Sequence, residues 1–265
     1  MRKLNKIILI PARSGSKRIK NKNVKKINGK PLIYYTIKQA LKIKNIDHVI
    51  VSTDSKRYAK IAKKYGAKIF YLRPKNISAD NSSDLELFKY NEMWLNKNIN
   101  YTTDIYVHLR PTFPNRKISD INQMISILEK KFNKIDSIRS VLEVDEKIEK
   151  YYNLNKHGYL ESELGMRRFG KDKDFKFNQS DNVLKKWFKG NGNIDVFFAR
   201  NLKKNSVSGS RILGYIQNNK TNLDINNRRE LKINSKLLLR KYESTPTKFL
   251  FNKARNRFSQ SRKKI

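Results

Sequence analysis

Four times in the first 130 residues a short, unbroken apolar run is followed by a longer stretch with helical spacing. The runs are KIILIPA at 6–12, HVIVSTD at 48–54, AKIFYL at 67–72 and DIYVHL at 104–109. A strand covered on both faces has no need to alternate apolar and polar residues, so such runs read as buried strands. Strands that alternate with helices pair in parallel, with the helices crossing over both faces of the sheet. The chain is therefore expected to be α/β.

The intervening segments supply the helices. In PLIYYTIKQALKI, Leu32, Ile33, Thr36, Ile37, Ala40 and Leu41 share a face, and Pro31 suits the first turn. Asp54 or Ser55 can cap the next helix, whose Tyr58, Ile61, Ala62 and Tyr65 align and which Gly66 ends. SSDLELFKYNEMWL is helical, and ISDINQMISILEKKF runs through Ile118, Ile121, Ile125, Leu128 and Phe132. The pattern changes near residue 137. DSIRSVLEV reads as a strand, about 145–190 is polar and irregular, and NIDVFFARN and ILGYIQ are strands. LDINNRRELKINSKLLLRKY then passes from loop to helix. Residues 1–243 are expected to form one domain with a lobe at about 140–190, and 244–265 a basic, mobile tail.

Charge and composition narrow the classes. Lys and Arg number 60 against 23 Asp and Glu, a formal net charge of +37. Two readings compete: a nucleic-acid or anionic-surface binder, or a solvated surface with lysine spread over nearly every helix. The diffuse placement favours the second, no nucleic-acid-binding signature is present, and no specific nucleic-acid partner is expected. There is no cysteine, which excludes thiolate chemistry and fits a reducing, cytoplasmic location. No apolar run approaches the roughly 20 residues of a membrane span, so no membrane insertion is expected. MRKLNKIILIPAR has no small-residue cleavage site and reads as a strand, not a signal peptide.

The loop that leaves the first strand carries Arg13, Ser14, Gly15, Ser16, Lys17, Arg18, Lys20, Lys22 and Asn23. In parallel α/β folds ligands bind where strands end. Small residues let backbone N–H groups approach phosphate oxygens, and cations neutralise them. The loop matches neither G-x-x-x-x-G-K-[ST] nor G-x-G-x-x-G. It reads as phosphate-binding, with a solvated basic loop as the alternative.

PARSGSKRIKNKN resembles the N-terminal signature of the acylneuraminate (CMP-sialic acid) cytidylyltransferase family. VSTD, LRPKNISADNSSD, LRPTFPNR, NGNI and LDIN follow in the family's order, over about residues 5–235. The resemblance implies a nucleotide-diphosphosugar-transferase-like, Rossmann-like α/β fold with a mainly parallel sheet and an inserted dimerisation and sugar-site lobe. It implies activation of an acidic nonulosonic sugar with CTP, giving a CMP-sugar and pyrophosphate, with Mg²⁺ as cofactor and a homodimer as the assembly. By the same resemblance Arg13, Ser16 and Lys17 hold the triphosphate, Lys22 and Asn23 close the loop, Arg73 faces the base, and Asp80 and Ser82 line the pocket. Ser82 also reads as a helix N-cap. Arg110, Thr112, Lys150 and Asn191 fall on the sugar side, Asp224 and Asn226 on the metal. Arg13, Lys17 and Asp224 are the expected catalytic set.

Four positions depart from the family pattern. Arg110 stands for a Gln, Asn178 for the Arg that meets the sugar carboxylate, Asp195 for an aromatic residue and Asn226 for an acid. Arg110 could replace the lost cation with a bidentate grip on a carboxylate, or pair with an internal acid. Asp195 reads as an exposed strand-edge or loop charge. Asp224 can supply one Mg²⁺ ligand and Asn226 a neutral oxygen. None of His48, His108 and His157 is a strong general base. A related nucleotidyltransferase for another sugar, or a non-catalytic nucleotide- or nucleic-acid-binding protein, is the alternative.

Overall fold

The structure, a computed structural model, describes residues 2–146, 151, 153–154, 156–158, 160–161, 186–217 and 224–243. Lys150, Asn178, most of the expected lobe and the 244–265 tail lie outside the described residues. Strand β1 (Lys6–Pro11) leads through the basic loop to the two-residue strands β2 (Lys26–Ile27) and β3 (Lys30–Pro31), then to α1 (Leu32–Ala40). β4 (His48–Ser52), α2 (Lys56–Lys64), α3 (Asp84–Ile99), β5 (Ile105–Leu109), α4 (Ile118–Lys130) and β6 (Ser137–Val144) follow. β7 (Asn153–Leu154) and β8 (Leu160–Glu161) are a short pair. β9 (Trp187–Phe198), β10 (Ile212–Ile216) and α5 (Arg228–Glu243) complete the described chain.

The main sheet has the order β10-β6-β9-β5-β1-β4. β1 pairs in parallel with β4 and β5, and β6 with β10, while β9 runs antiparallel to both β5 and β6. The mainly parallel α/β sheet is thus present, with one reversed strand at its centre. Ile7, Ile8, Leu9 and Ile10 of β1 are fully buried. Ile8 and Ile10 pack with α1, α2 and α4 through Ile33, Ile37, Tyr58, Ile121 and Met124. Ile7 and Leu9 pack on the other face against Leu87, Phe88 and Leu95 of α3. That two-sided burial is why β1 carries no polar residue in the middle of its run.

Several local expectations need correcting. AKIFYL is no strand of the sheet: it makes one parallel bridge, Ile50 to Lys68, and then leaves. Phe70 stacks on Trp94 at 5.5 Å and the Tyr71 hydroxyl donates to Asn91 Oδ1. Packing of these rings against α3 outweighs further ladder bonds. α3 is capped by Ser83, not Ser82: the Ser83 hydroxyl accepts from the Glu86 N–H at 3.2 Å and Glu86 answers the Ser83 N–H, a capping box. Ser55, not Asp54, caps α2. α4 ends at Lys130, so Phe132 lies beyond it, under the Arg200 guanidinium.

Candidate active site

The C-terminal ends of β1, β4 and β5 open into a cleft of about 620 Å³. Its walls come from the basic loop, the 79–84 segment, the 110–112 turn and the start of the C-terminal segment. Arg13, Ser16, Lys17, Lys22, Asn23, Arg73, Asp80, Ser82, Arg110, Thr112, Asp224 and Asn226 all line it, so residues chosen from four separate stretches converge. Asn191 does not line it. Its side chain is spent on Ser140, Asn193 and Gln217, beneath the turn that precedes the buried half of β9.

The basic loop is held by its own polar residues. Asn23 Nδ2 donates to the Arg13 carbonyl at 3.1 Å, and Lys22 Nζ to the Ile225 carbonyl at 3.0 Å. Burial lowers the Lys22 pKa, with Asp224 opposing the shift. A Cβ on Gly15 would meet nothing within 4 Å, so the fold itself does not demand glycine there, and the space in front of the loop is open. Asp54 at the end of β4 accepts from both the N–H and the hydroxyl of Ser14, at 2.8 and 2.7 Å. Asp54 is the site residue that sequence reasoning missed. Its place in VSTD read as a helix cap, and only the parallel register of β1 and β4 sets it beside Ser14.

Two of the loop cations, Arg13 and Lys17, share one acid. Asp80 pairs with Arg13 at 2.8 Å and with Lys17, whose hydrogen bond and charge hold the Asp80 pKa below the ordinary carboxylate value. Arg13 also donates to the Ala79 carbonyl. A triphosphate would have to displace Asp80. Asp80→Asn should therefore tighten pyrophosphate binding by about two- to fivefold at low salt, the size of one exposed ion pair. Titration calorimetry checks this, and weaker binding by the variant would make Asp80 a ligand contact instead of a competitor. Arg73 is buried and donates to Ser52 Oγ and the Ser52 carbonyl, so its guanidinium is anchored to the end of β4.

Arg110 sits in a charge cluster at the cleft floor. Nη1 donates to Asp195 Oδ2 and the Gly192 carbonyl, both at 3.0 Å, and Nη2 to Asp84 Oδ2 at 2.7 Å. Burial alone would lower its pKa, but Asp84 and Asp195 leave it raised. Of the two sequence readings, pairing with internal acids is the one this geometry displays. Asp195 itself needs correcting: it is no exposed strand-edge charge but a buried residue of β9, also taking Arg139 Nε at 2.9 Å. The two departures at 110 and 195 thus form one ion pair.

His108 lies under this cluster, 1% exposed, with Nδ1 3.8 Å from Asp195 and 3.9 Å from Asp84 and neither ring nitrogen hydrogen-bonded. Burial, then Arg110, hold its pKa well below the ordinary value, so it is neutral. On unfolding it regains a pKa near 6.5, and the unfolded chain then binds more protons at mildly acid pH. Its contribution to stability therefore falls as the pH drops below about 6.5, by up to about 1.4 kcal/mol per unit. Urea unfolding of wild type and His108→Gln at pH 7.5 and 5.5 should show the smaller acid loss in the variant. Equal losses would assign the dependence elsewhere.

Metal fit rests on Asp224. Its Oδ1 is buried without a hydrogen-bond partner, while Oδ2 accepts from Asn226 Nδ2 at 2.8 Å. One unpartnered carboxylate oxygen on a residue that lines the cleft suits Mg²⁺, which takes one or two carboxylates and completes its shell with phosphates and water. Among the described residues no group of three His, Cys, Asp or Glu is placed to hold a metal ion.

The family model described as cytidylyltransferase matches residues 7–185. The chain belongs to the cytidylyltransferase family. An N-acylneuraminate cytidylyltransferase of Escherichia coli is 38% identical over 125 residues, covering 46% of this chain and 28% of that protein. A CMP-N,N'-diacetyllegionaminic acid synthase of Legionella pneumophila is 37% identical over 126 residues, covering 46% of this chain and 52% of that one. The chain thus spans about half or less of the length of these two relatives. Among solved structures, a CMP:2-keto-3-deoxy-manno-octonic acid synthetase complexed with CTP superposes with a TM-score of 0.64 at 18% identity, covering 89% of this chain and 99% of that one. That likeness shows the cytidylyltransferase fold.

Proposed function

We propose that the chain is a CTP-dependent nucleotidyltransferase that activates an acidic nonulosonic sugar, giving a CMP-sugar and pyrophosphate. The observation that carries this reading is the cleft itself: Arg13, Lys17 and Lys22 line it together with Asp224, whose buried Oδ1 has no hydrogen-bond partner among the described residues, on a cytidylyltransferase scaffold. The sugar class is supported by the names of the two curated relatives, an N-acylneuraminate and a diacetyllegionaminic acid enzyme.

In the proposed reaction the sugar's anomeric oxygen attacks the α-phosphorus of CTP. The bond from that phosphorus to the bridging oxygen breaks, pyrophosphate leaves with the electron pair, and the hydroxyl proton passes to solvent. Arg13, Ser16 and Lys17 would bind the triphosphate after exchanging Asp80 for phosphate oxygens, neutralising charge that moves onto pyrophosphate. Lys22 and Asn23 would keep the loop closed, Arg73 and Ser82 would shape the base pocket, and Thr112 would face the acceptor. Arg110 would reach an acceptor carboxylate by exchanging Asp84, the more exposed of its two acids at 45% against 8% for Asp195. Lys150 and Asn191 remain in the proposed sugar set, Asn191 through the turn it supports. Asp224 would hold Mg²⁺ with Asn226 beside it, and the ion supplies charge neutralisation at the phosphates when bound. His48 begins β4, at the end of the strand away from the cleft, and His108 is buried.

A homodimer and a cytoplasmic location belong to the same proposal. No helix among the described residues is long and apolar enough to cross a membrane. The deciding test is a pyrophosphate-release screen with CTP, UTP, ATP and GTP against a panel of acidic sugars. Release with CTP and a nonulosonic acid supports the reading. Turnover only with another nucleotide or a neutral sugar, or none at all beside tight RNA binding that survives physiological salt, overturns it.

A further inference from the structure

Arg116 has no role in the site as described, yet it is among the largest fully buried side chains, at 1% exposure. Among the described residues it forms no ion pair. Its guanidinium is surrounded by neutral oxygens. Nε donates to Asn193 Oδ1 at 2.7 Å, Nη2 to the carbonyls of Arg110 and Asn193 at 2.8 and 2.9 Å, and Nη1 to Gln39 Oε1 at 3.1 Å. Burial, and then the charge of Arg110, push its pKa down to about 9, so it is still charged at neutral pH. A buried charge without a counter-charge is expensive to keep, and its fork is spent on three separate elements.

Those elements meet around the turn that follows β5. Arg110 and Arg116 bracket the turn, and Arg116 ties its first carbonyl back to its own last residue. Asn193 belongs to β9 and Gln39 to α1, and Gln39 Nε2 in turn donates to the Pro114 carbonyl at 2.6 Å. In the middle of the turn, the Thr112 carbonyl accepts from the Ile225 N–H at 3.1 Å. Ile225 is the neighbour of Asp224, and its own carbonyl takes Lys22 Nζ. The described hydrogen bonds thus run from Arg116 through the turn to the segment that carries Asp224.

We propose that Arg116 is a positioning residue: its buried guanidinium holds the 110–116 turn so that the Thr112 carbonyl fixes the Asp224–Asn226 segment against the cleft. The kinetic consequence rests on the nucleotidyltransferase reading, but the positioning does not. The test is hydrogen exchange at single-residue resolution on the full chain, comparing wild type with Arg116→Met and Arg116→Lys. In Arg116→Met the Ile225 amide should exchange about tenfold faster or more, while Leu9 and Val107 amides of the core strands keep their protection. Arg116→Lys retains the charge without the fork and should fall between. If wild type turns over, kcat of the variants should fall more than KM for CTP rises, because the triphosphate loop is held separately.

Wild-type protection of Ile225 in Arg116→Met would overturn the proposal. So would equal loss at Ile225, Leu9 and Val107, since that pattern reports global destabilisation. If Arg116→Met does not fold, Arg116→Lys carries the same comparison. A wild-type chain inactive with every nucleotide and sugar would sink the enzymatic reading and leave the exchange result to decide this one.

Discussion

Asp195→Ala is expected to lower the unfolding free energy by about 3 kcal/mol, the low end of what removing one partner of a buried ion pair costs. The low end applies because the side chains left behind, Arg110 and Arg139, keep 31% and 41% of their exposure and can recruit water. The cost is still large because, among the described residues, Asp195 is the single acid that joins both arginines, under a turn whose Gly192 carbonyl also accepts from Arg110. Asp195→Asn keeps the shape and one acceptor oxygen and should lose less. Urea unfolding with an unchanged slope measures the difference. A loss below about 1 kcal/mol in Asp195→Ala would mean that the cluster is solvated, as surface pairs are.

Arg13→Ala should weaken CTP binding about 10- to 150-fold, the 1.5–3 kcal/mol of a hydrogen bond to a charged group. The lower half of that range is expected, because in the free chain Arg13 must first leave Asp80 and the Ala79 carbonyl. The fold should tolerate the change: Arg13 lines the open cleft, and the loop remains anchored by Ser14 to Asp54 and by Lys22 to Ile225. Calorimetric titration with CTP, beside a melting curve to confirm folding, checks this. Unchanged CTP affinity in a folded variant would remove Arg13 from the phosphate site and with it the simplest reading of the cleft.

The two predictions separate what the chain displays locally from what it conceals. β1, β4 and β5 were legible because strands covered on both faces are near-continuous apolar runs, as IILI, VIV and IYV are. AKIFYL failed by the same rule. Apolar and aromatic content reports burial, not the partner: Tyr71 bonds Asn91 of α3, and the half-buried Phe70 stacks on Trp94 of α3, where a ladder strand was expected. The basic loop was legible because cations among small residues at a strand end leave few other uses. The Ser83-x-x-Glu86 capping box was also present in the sequence, one residue from the cap that was expected.

By itself the sequence determined the α/β class and the position of the basic loop, because these depend on local periodicity and on residue chemistry, while the grouping of distant stretches into one site came from the family resemblance. Only the tertiary structure decided who satisfies whom. Arg110 and Asp195 lie 85 residues apart, Arg116 and Asn193 lie 77 apart, and Lys22 and Ile225 lie 203 apart. Asp54 meets Ser14 across a parallel register. A buried charge takes whichever polar group packing brings within about 3 Å, and no spacing along the chain encodes that neighbour.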